Sequence, residues 1–284
     1  MDARAEIREY LASRRARITP QEAGLVAYGR NRRVPGLRRE EVAMLAGVSI
    51  DYYTQLERGN SRGVSDEVLE AIAGALQLDE AERAHLFDLA RAARRTRPRT
   101  APLDVRPSVQ QVLDSMTEAA AFVRNGRLDV LAVNALCRAL YAEVLTASAD
   151  PPNLARFIFL DGRDSAFYAD REGITRLAVG SLRTETGRNP GDPVLAGLIR
   201  ELSARSEEFS ALWAEHDVNY YRSGIQPFNH PIARNLALNY NAFELPADPG
   251  QTMIVYTAEP GSAAGDALKS LRGGPVGPAV SSET

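Results

Sequence analysis

The chain has 284 residues, 44% of them hydrophobic and 25% charged, with a net charge of −3, which is the composition of a soluble globular protein long enough for two ordinary domains. No stretch approaches the roughly 18 to 20 uninterrupted apolar residues of a membrane helix, and Asp2, Arg4 and Glu6 stand where a secretory apolar segment would be, so a cytoplasmic chain without membrane contact is expected. Cys137 is the only cysteine, which excludes an internal disulfide and a cysteine-based zinc cluster within one chain; flanked by Leu136 and Leu140 it reads as core, and no metal or cofactor is expected.

The charge is unevenly spread. Through Arg99 there are 18 arginines against 15 acids, a net +3, while the remainder carries 16 basic residues against 22 acidic ones, a net −6. Within the basic part Arg30, Arg32, Arg33, Arg38, Arg39, Arg58 and Arg62 crowd together as a candidate phosphate grip.

Residues 2–17 predict a first helix carrying Ile7, Tyr10 and Leu11, closed by Thr19-Pro20. Helical patterning resumes at Leu37 and is punctuated by Gly47, Gly59 and Gly63. Ser65 caps a helix with Leu69, Ile72, Ala73 and Leu76 on one face, and Asp79 with Glu82 forms a capping box for the next, which carries Leu86 and Leu89. Residues 1–93 therefore form an all-helical domain, and the proline- and arginine-rich stretch 94–107 is a linker.

Strand signals begin only after it. Residues 120–124 and 128–133, joined by Asn125-Gly126, predict a β-hairpin in which that pair supplies positive φ. Asn134 opens a helix, further helices are expected over 165–183, 193–203 and 206–215, and strands over 224–230, 235–245 and 251–258. The second domain, 108–272, is thus α+β, a five-stranded antiparallel sheet with helices on one face, followed by a disordered tail over 273–284.

The most informative segment is REEVAMLAGVSIDYYTQLER, residues 39–58. Ala43 is small where two helices cross, Gly47 occupies a sharp turn, and Val48, Tyr53 and Leu56 can pack onto Val42 and Leu45. Ser49 caps the second helix, which presents Ile50, Asp51, Thr54 and Gln55 outward as candidate base-reading residues for a major groove. Arg30, Arg32, Arg33, Arg38, Arg39, Ser49 and Arg58 are the candidate phosphate contacts. A helical hairpin in an enzyme or scaffold is the competing explanation, and the coincidence of packing pattern and arginine cluster argues against it.

On these residues, 30–90 resemble the Xre (lambda-repressor-like) helix-turn-helix family, and RRVPGLRREEVAMLAGVSIDYYTQLERG carries the likeness. SEEFSALWAEHDV at 206–218 and LPADPGQTMIVYTAEPGSAAGDAL at 245–268 are similar to the MmyB-like ligand-binding domain, a PAS-like fold, from which the chain departs by having Arg171 where the family usually has tryptophan. The resemblance implies a regulator of transcription on double-stranded operator DNA, and a ligand such as a fatty acid. For such a ligand Phe157, Phe159, Leu198, Trp213, Phe228 and Tyr240 are candidate lining, and Asn134, Arg138 and His230 candidate anchors. A homodimer on a two-fold-related site is expected. The alternative is a regulator whose second domain only dimerises or docks a partner. An enzyme is not expected: there is no phosphate loop or Gly-x-Ser-x-Gly elbow, and His85, His216 and His230 are scattered.

Overall fold

The computed structural model describes residues 3–25, 34–61, 63–92, 104–146, 150–218 and 222–273. Arg30, Arg32, Arg33 and Arg62, the greater part of the expected linker and nearly all of the expected tail lie outside the described residues. The chain divides into two units, residues 1–100 with 179–220, and residues 101–178 with 221–284.

The first unit opens with α1 (Ala3–Arg17), α2 (Arg39–Leu45), α3 (Ile50–Glu57), α4 (Asp66–Ala75) and α5 (Glu80–Ala92). Their apolar faces meet in one core that includes Ile7, Tyr10, Leu11, Val42, Tyr53, Leu56, Leu69, Ile72, Leu86 and Leu89, each such full burial contributing about 1.5–3 kcal/mol. The expected caps are formed: Ser65 Oγ accepts the Val68 amide, and Asp79 and Glu82 exchange hydrogen bonds of 2.8 and 3.1 Å. Gly47 has φ +65°, which lets the Val48 amide reach back to Ala43 O at 3.0 Å and ends α2. Gly59, at φ +90°, has a second reason to lack a side chain, because a Cβ there would lie 2.4 Å from the Arg4 carbonyl. Leu45, expected in the core, is 37% exposed, and Ala46, one helical turn after Val42, takes the inward position.

In the second unit α6 (Pro107–Ser115) precedes β1 (Ala120–Asn125) and β2 (Val130–Val133), then α7 (Ala135–Leu140), α8 (Ala142–Leu145), α9 (Leu154–Leu160) and α10 (Asp164–Phe167). The expected single helix over 165–183 is broken: Tyr168 bridges to Phe228, and the Asp170 carboxylate accepts the Gly173 amide to start α11 (Arg171–Arg188) afresh. The boundary between the units falls inside α11, so α12 (Pro193–Arg205) and α13 (Glu207–Ala214) belong to the first unit, while β3 (Ser223–His230), β4 (Arg234–Glu244), β5 (Gln251–Thr257) and α14 (Ala263–Ser270) complete the second.

The strand order is β2-β1-β5-β4-β3, antiparallel throughout. Helices cover both faces, not one: Val109 and Leu113 of α6 pack on Ala121, Val123, Met253 and Val255, and the alternate residues Phe122, Ile254 and Tyr256 face the other way. That is why β1 is buried along its whole length. The β1–β2 hairpin forms, but its turn differs from expectation. The positive φ belongs to Leu128, and the Asn125 side-chain oxygen accepts the amides of Arg127 and Asp129, so the side chain shapes a longer loop that a tight two-residue turn does not need.

Candidate DNA interface and aromatic cluster

The face of α3 that is turned from the core displays Ile50, Asp51, Gln55 and Arg58, with Thr54 half-buried at its margin. Ser49 Oγ accepts the Tyr52 amide at 3.1 Å, so this candidate phosphate contact also holds the helix start. The helix seats itself through Tyr53, Leu56 and Glu57, all fully buried. Sequence reasoning missed Tyr52 and Met44, which are 37% and 63% exposed alongside Ile50; placing them needed the angle at which α2 and α3 cross.

Two of the candidate phosphate contacts are already engaged. Arg38 pairs with Glu40 at 3.3 Å, an exposed bridge worth little, and its amide is held by Glu41 at 2.6 Å. Arg39, 52% exposed, pairs with Glu57, whose carboxylate is 1% exposed and is shared with Arg15 of α1 at 2.8 Å. The buried Glu57 carboxylate thus holds one cationic partner from α1 and one from the start of α2.

The candidate lining residues fall in two places. Leu198 and Trp213 belong to the first unit, on α12 and α13, where Trp213 stacks on Phe209 and lies under Arg183 at 4.1 Å. Phe157, Phe159, Phe228 and Tyr240 belong to the second. There Phe157, Phe228 and Tyr240 join a cluster of rings with Phe122, Tyr141, Phe167, Tyr168 and Tyr256, with neighbouring centroids 4.9–6.3 Å apart. Inside it the hydroxyls of Tyr141 and Tyr256 are hydrogen-bonded at 2.8 Å, a polar centre that no sequence pattern announces because 115 residues separate the pair.

None of the three candidate anchors takes part in this cluster's polar centre. Asn134 is consumed by the fold, its Oδ1 accepting the amides of Ala121 and Cys137 and its Nδ2 donating to Met116 and Ala119. Arg138 is exposed on α7. His230 accepts the Ile232 and Ala233 amides at Nδ1 and donates from Nε2 to Ala139 O at 3.3 Å, a pattern that burial reinforces by pushing its pKa down and keeping it neutral. Arg171 pairs with the buried Asp164 and donates to Ile158 O at 3.4 Å, so the departure from tryptophan introduces an ion pair at the start of α11. Cys137 is buried, and desolvation raises its thiol pKa.

A helix-turn-helix domain model matches residues 6–86, and the model of the MmyB-like transcription regulator ligand binding domain matches residues 105–271. No curated protein matches the chain. Among the described residues no helix is long and apolar enough to cross a membrane. With a helix-turn-helix ahead of it and well over half of its residues inside the second match, the chain belongs to the MmyB-like transcription regulator ligand binding domain family.

Proposed function

We propose that this transcriptional regulator is of Xre type, reads a two-fold-related operator as a cytoplasmic homodimer through α3, and carries a PAS-like sheet domain that binds an apolar ligand with one polar end, such as a fatty acid. It acts by binding, not by catalysis; the burial of His85 in the helical core and the engagement of His216 by Arg183 and of His230 by the Ile232 and Ala233 amides support this. The DNA half of the reading rests on one observation, the polar face of α3 held outward by buried Tyr53 and Leu56. The ligand half rests on the Tyr141–Tyr256 hydroxyl pair among apolar rings, a polar point where the carboxylate or carbonyl of a ligand takes over the hydrogen bond that one hydroxyl now donates to the other while the rings make dispersion contacts to the rest.

Native mass spectrometry of the purified full chain, before and after incubation with saturated fatty acids, tests that half. An added lipid mass that disappears in Tyr141→Phe and Tyr256→Phe together supports it. A chain that rejects them at their solubility limit supports the second reading, a dimerisation module without ligand, which the close ring-to-ring packing of the cluster favours.

Two predictions address the DNA face. Arg38→Ala should weaken binding to all duplexes alike and lower the log–log salt slope by about 0.9 with no change in melting temperature; Arg39→Ala should lower the slope equally and also destabilise, because Glu57 loses a partner. An unchanged slope removes both from the grip. Gln55, exposed one turn beyond Asp51, presents a donor and an acceptor that match N6 and N7 of adenine. Gln55→Ala should cost about 1–3 kcal/mol at one base position and leave nonspecific affinity intact. Binding to a randomised operator library reads this, and a uniform loss across sequences contradicts it.

A further inference from the structure

The helix-turn-helix in the first unit is braced by α1, and α1 is in turn gripped by residues that the ligand-domain match includes. On one side Arg15 pairs with the buried Glu57 of α3, donates to Leu37 O at 2.8 Å and accepts the Leu37 amide at its own carbonyl. A Cβ on Gly36 would lie 2.5 Å from the Ala16 carbonyl and one on Gly59 would strike Arg4, so the approaches to α2 and the exit from α3 both lie tight against α1. On the other side Arg183 of α11, 1% exposed, stands 3.9 Å from Glu6, bonds to His216 Nδ1 at 3.0 Å and to Trp213 O, and covers the Trp213 ring. Arg14 donates to His216 O and pairs with Glu82 at 3.0 Å, and Arg17 pairs with Asp217 at 2.6 Å.

We propose that α1 is a positioning element for DNA recognition: residues 179–220 hold it through Arg183, and it sets the pose of α3 and the freedom of Arg39 through Arg15 and Glu57. The chemistry of Glu57 makes the link specific. A buried carboxylate needs cationic partners, and it has two, one from α1 and one at the DNA-facing start of α2. Displacing α1 withdraws Arg15, leaves Glu57 to Arg39 alone and draws that guanidinium off a phosphate. Arg183 lies on an 18-residue helix whose first eight residues belong to the sheet-bearing unit, so the element that grips α1 is continuous with that unit's own chain. The inference rests on the DNA-binding reading and needs no ligand.

The test uses the full chain and a duplex selected from a random library. Arg183→Met should lower duplex affinity about tenfold and speed hydrogen exchange of the α1 and α3 amides; Arg183→Lys, which keeps the charge opposite Glu6, should recover part of both, and Val194→Ala, on an exposed site of α12, should change neither. A folded Arg183→Met variant with unaltered affinity and exchange overturns the proposal. Should that variant not fold, the wild-type chain decides. Coupling is reciprocal, so added duplex must slow exchange over 207–217, far in sequence from the helix-turn-helix, and no slowing there overturns the proposal. A wild-type chain that binds no duplex overturns the DNA reading and the positioning role with it.

Discussion

Replacing Phe228 with alanine is expected to lower the unfolding free energy of the sheet-bearing unit by about 3–5 kcal/mol, the largest single-residue effect foreseen for this protein. Phe228 is fully buried on β3 and its ring touches four others, those of Tyr141, Phe167, Tyr168 and Tyr256, at centroid distances of 5.3–5.9 Å. Truncation removes the transfer free energy of the ring and also leaves a void that these neighbours, tied to α7, α10, the loop at 168 and β5, cannot fill by moving together. Edge-to-face geometry adds to the loss. Phe243, on the next strand but 54% exposed, is the control, with a cost within about 0.5 kcal/mol on truncation. Urea titration followed by circular dichroism reads both. A loss at Phe228 below about 1 kcal/mol would mean that the cluster collapses readily and is not a packed core.

Acid should weaken the helical unit through His85. Its ring is fully buried, edge-on to Tyr10 at 4.9 Å and pressed against Gly187, with Nδ1 lacking a hydrogen-bond partner among the described residues. Burial first, and then the guanidiniums of Arg183, Arg14 and Arg188 and the nearby His216, push its pKa down to about 3. The unfolded chain takes up a proton near the ordinary imidazole value of about 6.5 while the folded chain refuses it, so the contribution is complete above that value and is lost as pH falls toward 3. By pH 4 the loss is on the order of 3 kcal/mol. Glu6, whose pKa burial raises, works in the opposite sense at its own titration, so the comparison is made against His85→Leu, which keeps Glu6 and removes the imidazole. The stability gap between variant and wild type should move in the variant's favour from pH 7 to pH 4. Parallel curves would exclude His85 as the acid-sensitive group.

The recognition segment was legible from local rules because its constraints are local. Gly47 must adopt positive φ, Ser49 must cap, and a 3.6-residue period places Tyr53 and Leu56 inward and Gln55 outward, all within two short helices. The same holds for the capping box at Asp79 and for β3 and β4, whose alternating burial needs no knowledge of distant neighbours. The polar candidates of the second domain were less legible for a related reason. Asn134 and His230 are isolated polar residues among apolar ones, a pattern that an anchor and a backbone cap share, and only the partners within 3.3 Å distinguish them.

The sequence by itself determined the helices of the first unit, the five strands, which face of α3 turns outward and where the arginines crowd, because propensity, capping and periodicity act within a few residues. Only the tertiary structure decided what those faces meet. It set the Tyr141–Tyr256 pair at the centre of eight rings, gave Glu57 two arginines from two helices, and divided 105–271 between two units at a point inside α11. These are pairings across tens to hundreds of residues, chosen by the mutual burial of whole surfaces and by the need of each buried charge for a partner, and neither requirement leaves a periodic mark on the chain.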